Sequence, residues 1–227
     1  VDIREQQALY EMSNSNFSWN ITSPTNLRPQ YWDNLYFQRY QNYQNDKRDR
    51  FNGNMSINFE ATKDLSFLAR MGVDNYVLTT EERLATGSVP ARFGLATTAT
   101  QPSGYAVNNY KVSEKNMDFI ATYKKDITEE LNLTALAGTN LNYQTVYAQY
   151  QSTSGGLKIP NLFTISNSSS TPANPIFIDT SKQIIGFFGQ ASLGYQNTFY
   201  VDGTIRRDQS TALPANKNSY WYPSVSG

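Results

Sequence analysis

The chain has 227 residues, with 19 Lys+Arg balanced by 19 Asp+Glu, and it contains neither histidine nor cysteine. Disulfides, thiolate metal sites, thiol nucleophiles and every Ser-His-Asp hydrolase are excluded, and the commonest general base is missing. A net charge of zero leaves no electrostatic footprint for nucleic acid.

Mean hydropathy is −0.56, and the apolar runs are only a few residues long. A helical membrane span needs about 20. Aromatics nevertheless reach 14%, including 16 tyrosines, so a large interfacial surface has to be placed somewhere. Residues 1–50 show little periodicity and read as a loop-rich leading segment. The mixed run Asp46-Lys47-Arg48-Asp49-Arg50 nearly cancels its own charge, which favours a solvated strand entrance or an internal salt-bridge ladder.

From residue 51 the period is two. Met55, Ile57 and Phe59 alternate with polar neighbours. A short stretch, Ala61 to Asp64, then leads into Leu65, Phe67, Ala69, Met71 and Val73, which reads as a hairpin. A second hairpin has Met117, Phe119, Ala121 and Tyr123, a turn around Asp126 to Glu130, then Leu131, Leu133, Ala135 and Ala137. A third has Ile185, Phe187, Leu193 and Tyr195, a turn at 196–198, then Phe199, Val201 and Ile205. The connections between hairpins, 76–114 and 148–182, are long and rich in Ser, Thr, Asn, Gly and Pro.

Long strands, short turns on one side and long loops on the other match an outer-membrane β-barrel. In a bilayer every backbone group must be paired internally, and a closed antiparallel barrel achieves this. One face of each strand meets lipid and the other a wet lumen, so hydropathy stays modest while alternation is strict. Met55, Ile57, Phe59, Leu65, Phe67, Phe119, Leu133, Phe187, Leu193 and Val201 are the candidate lipid-facing set. Arg70, Asp74, Asp118, Lys124, Asn140, Asn142, Asp202 and Arg206 are the candidate lumen-facing set, for plug or substrate contact. Tyr76, Tyr123, Tyr143, Tyr147, Tyr195, Phe199 and Tyr200 stand near strand ends, where an interfacial girdle belongs. A soluble β-rich binding domain also alternates, but with shorter strands and evenly spaced turns.

Several blocks carry a family resemblance. The stretch Tyr36-Phe37-Gln38-Arg39-Tyr40 through Asp46-Lys47-Arg48-Asp49-Arg50-Phe51-Asn52-Gly53-Asn54 resembles the SusC/RagA family of TonB-dependent outer-membrane transporters. So do Glu81-Glu82-Arg83 with Gly87-Ser88, Ser152-Thr153-Ser154-Gly155-Gly156-Leu157 with Ile159-Pro160-Asn161, and Ile165-Ser166-Asn167-Ser168. The last block runs from Leu193-Gly194-Tyr195 to Tyr220-Trp221-Tyr222-Pro223-Ser224-Val225-Ser226-Gly227. The blocks follow the family order; Asn34-Leu35 departs from the expected Asn-Pro.

The resemblance implies an all-β segment of a large antiparallel transmembrane barrel, about 22 strands when complete, with short periplasmic turns and long extracellular loops. It implies import of an oligosaccharide or peptide across the outer membrane of a Gram-negative bacterium, TonB as energy source, and a SusD-like surface lipoprotein as lid. The partners are the outer-membrane lipid, the remainder of the barrel and its plug; plug and TonB box are absent from these residues. Residues 1–227 are then a partial barrel domain of six strands and the start of a seventh over 51–227. A SusC-like barrel serving as a docking component of an envelope assembly is the alternative.

Catalysis is not expected. Adjacent residues on a strand point to opposite faces, so Glu81/Glu82 does not converge on one atom, and Glu129/Glu130 sits in a turn. Gly155-Gly156 lacks the lysine and the helix of a phosphate loop. Asn42, Asn45, Asp46 and Asp49 lack EF-hand spacing. No cofactor or metal site can be named.

Overall fold

The computed structural model describes residues 1–196 and 198–227, with backbone alone for 96–98. Two short helices open the chain. In α1 (Ile3–Ser13) the Asp2 carboxylate accepts from the Arg4 N–H at 2.8 Å, Glu5 sits in the first turn, and Asn14 closes the helix at φ 47°. The hairpin β1 (Ile21–Ser23) and β2 (Asn26–Pro29) follows, then α2 (Leu35–Gln41). The remaining strands are β3 (Gln44–Glu60), β4 (Leu65–Leu84), β5 (Ala91–Phe93), β6 (Ala96–Gln101), β7 (Gly104–Asp126), β8 (Leu131–Ser152), β9 (Ser154–Leu157), β10 (Ser168–Ser170), β11 (Ile176–Tyr195), β12 (Phe199–Ser210) and β13 (Ser219–Ser226). The architecture is all-β, and the assigned register pairs are antiparallel. No helix among the described residues is long and apolar enough to cross a membrane, which says nothing of strands.

Seven strands make the main sheet, in the order β13-β12-β11-β8-β7-β4-β3. The six alternating runs and the beginning of a seventh correspond to these strands. The first two hairpin turns use one device. Thr62 Oγ1 accepts from the Leu65 N–H and Thr128 Oγ1 from the Leu131 N–H, each at 3.0 Å. The Ala61 and Ile127 N–H groups close onto the Leu65 and Leu131 carbonyls. A threonine three residues before the first apolar residue of the strand therefore encodes both turns. The third expected turn, 196–198, has its central residue, Asn197, outside the described residues.

Two expectations need correction. The connections expected over 76–114 and 148–182 are shorter, because β4 runs to Leu84, β7 starts at Gly104, β8 runs to Ser152 and β11 starts at Ile176. In the added lengths apolar and polar residues no longer alternate, as in Tyr76-Val77-Leu78 and Ile176-Phe177-Ile178, so the ladder continues without a period of two to betray it. The leading segment 1–50 is likewise not mainly loop: it holds both helices and a hairpin, and β3 begins at Gln44. The run Asp46–Arg50 is therefore strand.

The chain divides into two compact units. The first comprises 1–49, 77–110 and 147–178. Its small core is Tyr10, Phe37 and Ala85, with Tyr36 and Phe163 packed on it. Asn34, fully buried, holds this unit together. Its Oδ1 accepts from the Tyr36 and Phe37 N–H groups, capping α2, while its Nδ2 donates to the Gln6 carbonyl at 2.8 Å and the Phe17 carbonyl at 2.7 Å. The second unit comprises 50–76, 111–146 and 179–227. Among the described residues it has no closed core of large side chains; its order comes from the ladder itself.

Asn34→Ala removes a cap and leaves the buried Gln6 and half-buried Phe17 carbonyls without this donor. A loss of about 3 kcal/mol is expected, read as reduced hydrogen-exchange protection across Leu35–Gln41. Unchanged protection would contradict this role.

Candidate functional site

Side-chain contacts in the second unit define two faces. Phe67 stacks on Phe119 with ring centroids 6.0 Å apart. On the opposite face Arg70 pairs with Asp118. Asn140 Nδ2 donates to Asp118 Oδ1 at 2.5 Å. Phe188 extends the same face: a Cβ at Gly138 would lie 2.6 Å from its ring, and the Arg206 guanidinium lies over it at 5.5 Å. Even-numbered residues thus share one face from β4 through β12, and odd-numbered residues the other.

The even face is a polar ladder. Arg50 binds Asp74 through both its Nε and an amino group. Arg70, Asp118 and Asn140 form the next rung. Asn142 Nδ2 donates to Glu114 at 2.9 Å and to Asn116 at 2.8 Å. Arg206 Nε grips both oxygens of Asp208, at 2.8 and 3.0 Å. A Cβ at Gly186 would meet the ends of the Arg206 and Asp208 side chains at 2.4 and 2.5 Å, so a larger residue there would displace the pair. Most guanidinium groups keep substantial exposure, so the pairs add little to stability. The ladder's effect is to orient charges, not to hold the fold.

The structure brings Arg70, Asp118 and Asn140 together, pairs Asp74 with Arg50 of the charge run expected as a strand entrance or salt-bridge ladder, and pairs Asn142 and Arg206 with residues that sequence reasoning did not single out: Glu114, Asn116 and Asp208. The same even parity would have found them. Glu114 lies within the expected 76–114 connection, which the structure turns into β7 from Gly104. Lys124 is set at a strand end, its N–H donating to the Asp64 carbonyl at 2.8 Å. Asp202 faces Ser192 and Ser226 in register, away from the rungs. On the odd face Met55, Ile57, Phe59, Phe119, Phe187, Leu193 and Val201 are exposed, while Leu65, Phe67 and Leu133 are half-buried.

The first unit carries a second cluster that the sequence did not reveal. Arg83 lies between the rings of Tyr43 and Phe163, 4.8 and 5.0 Å from their centroids. It donates to the Tyr43 hydroxyl and to Glu81 Oε2, and Tyr105 donates its hydroxyl to Glu81 Oε1 at 2.7 Å. The Tyr105 hydrogen bond, opposed by burial and aided by Arg83, holds the Glu81 carboxyl below its ordinary range. Burial, then the Glu81 carboxylate, pushes the Tyr105 phenol up to about 12. Nearby residues of this unit, among them Asn16, Arg28, Gln41, Thr86 and Asn161, line a polar cavity of about 270 Å³.

No family model matches the chain, and no curated protein matches it. Solved structures do. A chain in the structure of the RagAB peptide transporter superposes with a TM-score of 0.74 and 22% identity, over 91% of this chain and 22% of that one. In the RagAB peptide importer in the "open-open" state the values are 0.73, 22%, 94% and 22%. In the "closed-closed" state they are 0.73, 23%, 88% and 21%. The chain spans about a fifth of the length of the chains it matches. Its fold is that of a segment of those transporter chains.

The phenol's signs fix an alkaline limit. Its folded pKa of about 12 exceeds the ordinary 10, so its contribution is complete below pH 10 and is lost as pH rises through 12. The Glu81 carboxyl, held low, contributes above 4.5 and loses that contribution as pH falls below it. Tyr105→Phe is expected to reduce the alkaline loss of stability in an unfolding titration, the Tyr150 phenol, which burial and the Glu82 carboxylate also push up, carrying a remainder. The same loss in the variant would contradict the assignment.

Proposed function

We propose that this chain is part of the wall of a TonB-dependent outer-membrane transporter of the SusC/RagA type. The complete barrel has about 22 strands, of which the seven of the main sheet are one sector. The observation that carries this reading is the two-faced sheet: exposed apolar side chains on one side, a hydrogen-bonded charge ladder on the other. A soluble sheet would bury the apolar face in a core. Here Met55, Phe59, Phe187 and Val201 are each at least 56% exposed, and lipid is the solvent that suits them.

The ladder then lines the lumen, against plug and cargo. The short turns face the periplasm, and the long connections face outward beneath a SusD-like lipoprotein lid. Likeness to a peptide importer makes peptide the first cargo to try, ahead of oligosaccharide. TonB supplies energy through the plug, and the segment has no chemistry of its own.

Two measurements test the reading. Ala135→Lys or Ala137→Lys in the full polypeptide, at odd positions of β8 midway between the short turn and Tyr143, is expected to cost about 2–4 kcal/mol of bilayer stability, while the opposite-face Thr134→Lys costs far less. Equal tolerance would contradict the orientation. Cells lacking the full polypeptide are expected to lose TonB-dependent uptake of labelled oligopeptides; undiminished uptake would contradict the transport role.

A further inference from the structure

Strand β11 overruns its neighbour β12. It begins at Ile176, but its register with β12 opens only at Ile184↔Ser210. The pairing closes at Gln183, whose N–H donates to Thr211 Oγ1 and whose carbonyl accepts from the Thr211 N–H, each at 2.9 Å. There the chain turns toward β13. In the sheet β11 lies between β12 and β8, so residues 176–182 have no partner strand on the β12 side among the described residues. Gln183 also shows which groups that edge carries. Alternate residues of a strand aim N–H and C=O to the same side. Phe177, Asp179 and Ser181 therefore present their backbone donors and acceptors to the vacant side, as Gln183 does to Thr211.

The overhang is exposed along its whole length. Ile176, Phe177 and Ile178 are 52, 58 and 45% exposed, and Asp179 and Lys182 cancel in charge. Pro175, which has no N–H to add to a ladder, marks its end. At ~3.3 Å per residue, 176–182 spans ~23 Å, the reach of a short extended oligopeptide. A row of backbone donors and acceptors, flanked by apolar side chains on both faces, is satisfied by another polypeptide strand. A lipid chain offers no hydrogen bonds, and a sugar does not repeat at the spacing of a ladder. Ile176 and Ile178 share the parity of Phe188, on the face that the proposed barrel turns to its lumen, where cargo passes.

We propose that residues 176–182 bind an extended oligopeptide by strand addition, its backbone pairing with Phe177, Asp179 and Ser181 and its alternate side chains lying beside Ile176 and Ile178. The site rests on the peptide-transport reading and gives it a sequence-tolerant mode, because main-chain hydrogen bonds are common to every peptide. Hydrogen exchange in the full polypeptide tests it, with a heptapeptide of alternating valine and threonine as probe. Without peptide, the Phe177, Asp179 and Ser181 amides are expected to exchange fast. Saturating peptide should slow them at least ~10-fold, and the same peptide N-methylated along both edges should not. Asp179→Pro with Ser181→Pro removes donors of the open edge and should weaken binding at least ~10-fold, whereas Ser181→Ala should leave it unchanged. Slow exchange retained across Leu131–Tyr143 shows that the proline variant is folded. Slow exchange at the three amides without peptide means that another segment or the lid already covers the edge, and overturns the site. So does failure of the peptide to slow them, equal slowing by the N-methylated peptide, or unchanged affinity in the folded proline variant. None of these results touches the transport reading, which falls separately if cells lacking the full polypeptide keep their oligopeptide uptake.

Discussion

Backbone pairing with a strict period of two governs everything else in the second unit. A strand ladder satisfies each N–H and C=O along its length and sends successive side chains to opposite sides. Because the seven strands share this constraint, one parity choice propagates from β4 to β12. Phe67 stacks on Phe119 on one face, and Arg70 meets Asp118 on the other. A one-residue slip in any strand would put its charges among aromatic rings. The register of β11 on β12, from Ile184↔Ser210 to Tyr195↔Phe199 without a shift, is what that penalty demands.

The polar face illustrates how weak interactions become useful once the ladder positions them. Its ion pairs are too exposed to stabilise the fold much, yet their partners cross from strand to strand: Arg50 on β3 with Asp74 on β4, Arg70 on β4 with Asp118 on β7. Each guanidinium is thereby held in one direction. Gly138 and Gly186 make room for the bulky members, Phe188 and the Arg206–Asp208 pair. The face is patterned and nearly neutral, a wall that can meet a polar guest or a plug without a large field of either sign.

How much of this was legible in the sequence depended on which signal each residue left. Alternation located the hairpins with their short turns, because Met55 to Phe59 and Leu65 to Val73 flank a four-residue polar stretch. Seven quoted blocks pointed to the family whose solved members share the fold. Strand lengths were underestimated where both faces turn polar, as at Glu114 and Glu81, since hydrogen bonding continues when hydrophobic contrast has stopped. The first unit was almost invisible. Its core is only Tyr10, Phe37 and Ala85, and its order rests on buried amides such as Asn34, whose partners at Gln6 and Phe17 are distant in sequence. The Arg83 cluster was missed for the same reason: Tyr43, Phe163 and Tyr105 converge on it from three separate stretches.

Both outer strands of the sheet, β3 and β13, have one edge without a partner strand among the described residues. Open edges of this length favour further pairing, which in the proposed barrel a wall continuing on both sides would supply. The central claim, that one face of this wall meets lipid and the other water, is tested most directly by single-cysteine scanning of β8 from Leu131 to Tyr143 in the full polypeptide, which is free of competing cysteines over these residues. Each site is labelled with a polarity-sensitive fluorophore in vesicles and challenged with an aqueous and a lipid-borne quencher. The account predicts alternation: odd positions quenched from lipid, even positions from water. Uniform quenching by the aqueous reagent along the whole strand would contradict it.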